Sequence, residues 1–265
     1  MKVVLFCGGL GMRIRDGEES VPKPMVTIGN RPILWHLMKY YASFGHMDFV
    51  LCLGYRSEII KEYFLDYKEW ISNDFVLGRG GRDLRMLSSD IDDWTITFAD
   101  TGTSATIGER LKAVEPHLAG EEAFLANYAD GLTDLWLPDQ MDAFDRSGKL
   151  ASFMVVRSPQ SFHIARVADD GNCTAIEPLA ESDVWFNAGF FIFRHAIFDH
   201  IQPGEELVNE PFRRLIEENA LHAYRFDGFW KAMDTFKDQQ ELDARHQAGD
   251  IPWQNRPPQI TPAEG

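Results

Sequence analysis

The stretch from Val3 to Pro24 constrains this chain more than any other. A β-branched apolar run, Val3 to Cys7, leads straight into Gly8-Gly9-Leu10-Gly11-Met12-Arg13, and Pro22-Lys23-Pro24 follows a short polar segment. Continuous apolar residues closed by glycine read as a strand buried on both faces, the kind found in parallel sheets. Gly8, Gly9 and Gly11 allow a sharp turn that brings bare N–H groups close to phosphate oxygens. Arg13 and Lys23 supply the positive charge that a triphosphate needs and amides alone cannot give. Two commoner phosphate loops are excluded. No Gly-Lys-Ser/Thr follows, and Ile14 stands where the dinucleotide fingerprint requires a third glycine.

The rhythm after this loop is helix, strand, helix, strand. Asn30 to Gly45 reads as a helix with Ile33, Leu34, Leu37, Met38 and Tyr41 on one face, Pro32 near its start and Gly45 as its stop. Asp48 to Gly54 reads as a second buried strand, and Ser57 as the cap of a helix running to Phe64. Such alternation implies right-handed crossovers, a parallel sheet and a ligand site at the carboxyl ends of the strands. Residues 65–93 are glycine-rich and charged, an excursion from the core. Strands are expected at Trp94–Ala99, Ala123–Tyr128, Leu150–Val156, Phe162–Val167 and Phe186–Phe193. Asp170-Gly171 signals a hairpin turn before Thr174-Ala175-Ile176. Helices are expected at Glu206–Asn219 and Phe236–Ala248, and the proline-bearing end after Ile251 reads as an extended arm. The expected class is α/β: a Rossmann-like, mostly parallel central sheet flanked by helices, with a small β-rich region added. One domain over 1–253 and a tail over 254–265 complete this reading.

Composition matters where it excludes partners. A net charge of −15 over 265 residues, with no offsetting basic stripe, argues against nucleic acid. No run approaches a membrane span, and the first apolar run is too short for a signal sequence. Cys7, Cys52 and Cys173 are odd in number and far apart, and read as reduced core residues of a cytoplasmic protein.

Read as a whole, the chain resembles the glucose-1-phosphate cytidylyltransferases, a branch of the sugar-1-phosphate nucleotidyltransferases. The resemblance rests on Gly-Gly-x-Gly-x-Arg with Lys23-Pro24-Met25, on Arg31-Pro32-Ile33-Leu34-Trp35-His36, and on Gly54-Tyr55-Arg56. Asp100-Thr101-Gly102, Arg110-Leu111-Lys112 and Gly228-Phe229-Trp230 with Met233-Asp234-Thr235 extend it to about Trp253. It implies transfer of a cytidylyl group from CTP to a hexose 1-phosphate with release of pyrophosphate. By the same resemblance Arg13 grips the β- and γ-phosphates and Lys23 the α-phosphate. Gly8, Gly9, Gly11, Thr101, Gly102 and Arg110 line the nucleotide, and Asp130 and Asp234 hold Mg²⁺. Glu177, Asn187 and Gly189 lie on the sugar side. Family members are commonly homo-oligomers, and 65–93 is where such contacts are expected.

The acceptor side departs from that pattern. Glu177-Pro178-Leu179 stands where Glu-Lys-Pro is expected, and no lysine occurs between Lys149 and Lys231. Arg157 or Lys231 are the cations that could offset the loss. Ser161-Phe162-His163 replaces Arg-Phe-Gly, and His163 is either an acceptor contact or a packed or surface histidine. Ala129 replaces a glycine before Asp130, and Glu109 sets an anion beside the expected phosphate path. Two alternatives stay open: a dTTP- or UTP-dependent transferase, and a catalytically weakened relative that only binds nucleotide or sugar nucleotide.

Overall fold

The computed structural model describes residues 1–9, 21–157 and 162–254. Gly11, Arg13 and Ser161, and the tail beyond Gln254, lie outside them. The chain opens with β1 (Val3–Phe6), then the short pair β2 (Thr27–Ile28) and β3 (Arg31–Pro32), then α1 (Ile33–Ser43). After β4 (Asp48–Leu53) and α2 (Ser57–Leu65) comes a hairpin of β5 (Phe75–Gly78) and β6 (Asp83–Met86). Next are β7 (Thr95–Asp100), α3 (Ile107–Ala113), β8 (Ala123–Asn127), β9 (Gly131–Thr133) and α4 (Leu137–Ser147). The second half adds β10 (Ala151–Arg157), the hairpin β11 (His163–Val167) and β12 (Cys173–Pro178), and the long β13 (Trp185–Arg194). It closes with α5 (Glu210–Glu217), β14 (Leu221–Phe226), β15 (Trp230–Ala232) and α6 (Phe236–Gln247).

Seven strands form one sheet in the order β14-β10-β13-β8-β1-β4-β7. β1 pairs in parallel with β4 and β8, β4 with β7, and β10 with β14; only β13 runs the other way. The mostly parallel sheet is therefore as expected. Helices cover both faces. One core, with Leu5, Leu51 and Leu125, receives Leu34 and Leu37 of α1, Phe144 of α4 and Leu242 of α6. The other, with Val4, Val50 and Phe191, receives Leu111 of α3 and Phe212 and Leu215 of α5. Central strands buried on both faces account for the unbroken apolar runs at Val3 and Phe49.

Several boundaries move for local reasons. The first helix begins at Ile33, because Arg31 and Pro32 pair with Ile28 and Thr27 instead. It is buried nearly all round rather than on one face: Trp35, His36 and Tyr40 join the core. Ser57 does not cap α2. The capping position is Arg56, in a left-handed conformation with φ 52°, and it makes no side-chain cap. The helix expected from Glu206 starts at Glu210, with Pro211 in its first turn. Trp253, read as part of a loose end, is buried, and its indole N–H donates to His36 Nδ1 at 3.3 Å. Cys173 is exposed on β12, unlike the buried Cys7 and Cys52.

His36 has a measurable consequence. Burial pushes its pKa down to about 4, helped by the nearby charges of His246 and Arg31 and opposed by its hydrogen bond to the Ile28 carbonyl. The unfolded chain takes up this proton near pH 6.5 and the folded chain does not. Stability is therefore full above pH 6.5 and falls as pH drops towards 4, by on the order of 3 kcal/mol at the bottom of that window. Thermal melts across this range should show the loss, and His36→Gln should flatten it; an unchanged slope would assign the loss elsewhere.

Candidate active site

The carboxyl ends of β1, β4 and β7 meet on one guanidinium. Arg110, on α3, is 3% exposed and donates through Nη1 to Thr101 Oγ1 and Gly102 O, each at 2.8 Å, and to Leu53 O at 3.3 Å. Its Nη2 donates to Gly8 O at 2.9 Å. Arg110 is thus no surface residue of a solvated helix; its donors are directed at the loop backbone from below. A Cβ on Gly8 would sit 2.0 Å from Nη1, so this contact requires glycine. The arrangement brings Gly8, Thr101, Gly102 and Arg110 together. Glu109, expected beside the phosphate path, instead accepts from Thr106 N at 2.9 Å and completes the capping box of α3. Its charge is spent on a helix N-terminus.

Lys23 lies in a tight turn between Pro22 and Val26. Its Nζ donates to Asp130 Oδ2 and to Asp234 Oδ1, each at 2.6 Å. Three residues far apart in sequence are joined by short-range geometry. Asn127 Oδ1 accepts from Ala129 N at 2.9 Å and bends the chain as it leaves β8. Ala129 then holds φ 62°, a left-handed conformation that explains why a glycine is expected there and that stores strain beside Asp130. β9 pairs with β15 so that Gly131 faces Ala232, and Met233 N donates to Asp130 O at 2.9 Å. That register delivers Asp234 opposite Asp130.

The electrostatics follow from this enclosure. Burial pushes the Lys23 pKa down, but the charge of Asp130 and hydrogen bonds to both carboxylates outweigh it and hold the ammonium protonated. Burial raises Asp130 above the usual carboxylate range, and the Asp234 charge adds to this, against the pull of Lys23. Two carboxylate oxygens so close to one nitrogen converge on a cation. Among the described residues no three His, Cys, Asp or Glu side chains form a metal cage. Two carboxylates completed by substrate oxygens suit Mg²⁺, which keeps few protein ligands. The donor set of Asp130 and Asp234 therefore fits that ion.

In β13, Asn187 donates from Nδ2 to Tyr128 Oη at 3.1 Å and accepts from Gly189 N at 2.9 Å. Gly189 has φ 78°, and a Cβ there would lie 2.5 Å from the Tyr128 ring. Glu177 sits on the exposed hairpin, its carboxylate 3.1 Å from Arg166. His163 is exposed opposite Pro178. Lys231 is held by Asp238 and Glu241, each at 2.8 Å. Sequence reasoning missed Tyr128 as an organising residue; it has no local signature, since its partner Asn187 comes from another element.

Comparisons with known proteins give the family. The family model for nucleotidyl transferases matches residues 2–243. A probable glucose-1-phosphate cytidylyltransferase of Bacillus subtilis is 35% identical over 96% of this chain and 99% of its own length. The glucose-1-phosphate cytidylyltransferase of Salmonella typhi is 34% identical over 96% of this chain and 98% of its own. Among solved structures, a UTP-bound UGPase from Acinetobacter baumannii superposes with a TM-score of 0.68 at 17% identity, covering 96% of this chain and 95% of that one. At that identity the likeness speaks for the fold alone. The family match over nearly the whole chain, with relatives 34–35% identical over 96% of it, makes this protein a member of the nucleotidyl transferase family.

Proposed function

We propose that the protein transfers a cytidylyl group from CTP to a sugar 1-phosphate, releasing pyrophosphate and forming a CDP-sugar. The observation that carries this reading is Lys23 set between Asp130 and Asp234 beside the Arg110-braced loop. The names of the relatives from Bacillus and Salmonella support the choice of base and acceptor. The reaction is an in-line attack by a sugar phosphate oxygen on the α-phosphorus, so alignment and charge neutralisation do most of the work. Lys23 places a fixed positive charge at the α-phosphate, and Arg13 takes the β- and γ-phosphates. Arg110 keeps Gly8, Thr101 and Gly102 in place so that the loop amides are oriented before nucleotide arrives. Mg²⁺, when held by Asp130 and Asp234, offsets charge on the phosphate oxygens. We further infer a cytoplasmic homo-oligomer assembled through residues 65–93, where Trp70, Leu77 and Leu84 are exposed; sedimentation of a variant with these three made polar tests the assembly.

Pyrophosphate release with each of the four common nucleoside triphosphates, against a panel of sugar 1-phosphates, tests the activity. Turnover with dTTP or UTP but not CTP would change the base, and binding without turnover would leave only a nucleotide-binding relative. Asp130→Asn should lower turnover by about 10²–10³-fold, the usual scale for a lost charge-stabilising group. Its melting temperature should change little, because Lys23 keeps Asp234. Full activity in this variant would remove Asp130 from the metal and phosphate site.

A further inference from the structure

An acceptor phosphate needs a cation, and most of the described cations around β13 are committed. Lys23 is shared by two carboxylates, Lys231 by two others, Arg166 by Glu177, and the Arg110 guanidinium by loop carbonyls and the Thr101 hydroxyl. Arg157 and Arg225 differ. In the sheet Val155 pairs with Asn187 on one side and with Arg225 on the other, and Arg157 pairs with Trp185. Paired and next-but-one residues share a face, so both arginines project on the side of Asn187. Their guanidinium carbons lie 5.0 and 5.3 Å from the Trp185 ring centroid, Arg157 and Arg225 respectively. One indole thus steadies two positive charges on a strongly acidic protein.

Arg157 also donates to Ala180 O at 3.3 Å, two residues beyond Pro178. Among the described residues its one carboxylate ion-pair partner is Asp227, at a loose 3.8 Å. Between them opens a cavity of about 270 Å³, bounded by Arg157, Ala180, Phe226, Asp227 and Trp230. At roughly 30 Å³ per water it has room for about nine waters, the scale of a monosaccharide. Trp230 is fixed by donating its indole N–H to Ala188 O at 3.0 Å, and that nitrogen lies 3.3 Å from where a Cβ on Gly131 would be. The next residue back is Asp130, so the cavity shares a wall with the lysine–carboxylate centre. A cation for phosphate, a carboxylate for hydroxyls and an indole for the apolar edge of a ring make a set that recognises a phosphorylated sugar.

We propose that Arg157 is the specificity-determining residue of the acceptor half, its guanidinium gripping the phosphate of a sugar phosphate seated in this cavity. The assignment rests on the transferase reading for its role in turnover, but the binding it describes can be measured alone. Two measurements on the full chain separate the questions: pyrophosphate release with acceptor varied at saturating CTP, and calorimetric binding of glucose, galactose and mannose 1-phosphates without nucleotide. Arg157→Gln should raise the acceptor KM and Kd about 10- to 100-fold, the weight of one charge-assisted phosphate contact, with the CTP KM unchanged. Arg157→Lys should recover part of the loss, since it keeps the charge but not the fork. Lys231→Gln should leave acceptor binding within twofold. The proposal is overturned if Arg157→Gln binds acceptor like the wild type, if Lys231→Gln causes the larger loss, or if the wild type binds none of the three sugars. Binding that depends on Arg157 without turnover for any triphosphate would instead sink the transferase reading and leave the cavity assignment standing.

Discussion

Lys23→Met is expected to reduce turnover by at least about 10²–10³-fold, because on the proposed mechanism it deletes a preoriented charge from the position of the transferring phosphorus. The structure predicts a second signature. Without the ammonium, Asp130 and Asp234 face each other with nothing between, and Asp130 loses the neighbour that offsets its burial. Its carboxyl should therefore hold a proton to higher pH than in the parent. Residual activity should fall off at higher pH than it does for the parent as the solution is acidified, and added Mg²⁺ should restore it partly. Lys23→Arg should not rescue, since a planar fork cannot occupy the notch of a point charge 2.6 Å from two oxygens. The stability cost is modest, about 1–2 kcal/mol, because these side chains are partly solvated. A turnover number within threefold of the parent for Lys23→Met would rule out this lysine as the phosphate cation.

The second large effect lies away from the site. Arg31 is 1% exposed, yet its charge is fully engaged: it donates to Ser72 Oγ at 3.0 and 2.6 Å, to Lys68 O at 2.9 Å and to Tyr63 Oη at 3.2 Å. Its guanidinium carbon lies 4.4 Å from the Tyr67 centroid, and Asp90 is 3.6 Å away. With Asn30, Trp35 and Lys39, this side chain ties the 66–93 segment to β3 and α1. Arg31→Ala leaves Asp90 and the carbonyl without it and should cost about 3–5 kcal/mol, or roughly 10 °C in melting temperature. Asp90 adds a pH dependence. Burial would raise its pKa, but hydrogen bonds from Ser72, Asn73 and Tyr67 and the charge of Lys39 hold it below the usual range. Its stabilisation is thus present above about pH 4 and is lost as pH falls below that. Proteolysis within 66–93 and loss of hydrogen-exchange protection across β5 and β6 should accompany the variant. An unchanged melt with unchanged protection would show that the segment is held by other contacts.

Much of the fold was legible because its signals are local. Val3–Phe6 and Asp48–Leu53 are continuous apolar runs between glycines or polar turns, and both are central strands. α3 and α4 carry no strong helical period, although Thr106 and Glu109 spell a capping box for the first and Pro138 and Gly148 bracket the second. Their apolar positions are few, so periodicity alone did not raise them. The site was legible only in parts. Gly8 and Lys23 announce phosphate chemistry through composition and spacing, whereas the meeting of Lys23, Asp130 and Asp234 depends on a β9–β15 register that no local pattern encodes. Arg110 shows the same limit from the other direction. Nothing in its local sequence marks it as buried, and only the convergence of three strand ends makes it a buried tie.

The order of the sheet also bears on how such a protein can change. The strands whose ends meet Arg110, β1, β4 and β7, lie on one side of β8, and the two sheet strands that line the Arg157 cavity, β10 and β14, lie on the other beyond β13. Within the sheet the halves are hydrogen-bonded along the one seam between β8 and β13. Mutations can therefore accumulate on the acceptor flank without disturbing the donor flank, and Pro178, Arg157 and Asp227 all fall there. A library confined to that flank, or a graft of β10 through β14 between relatives, should alter acceptor choice while donor choice is inherited intact.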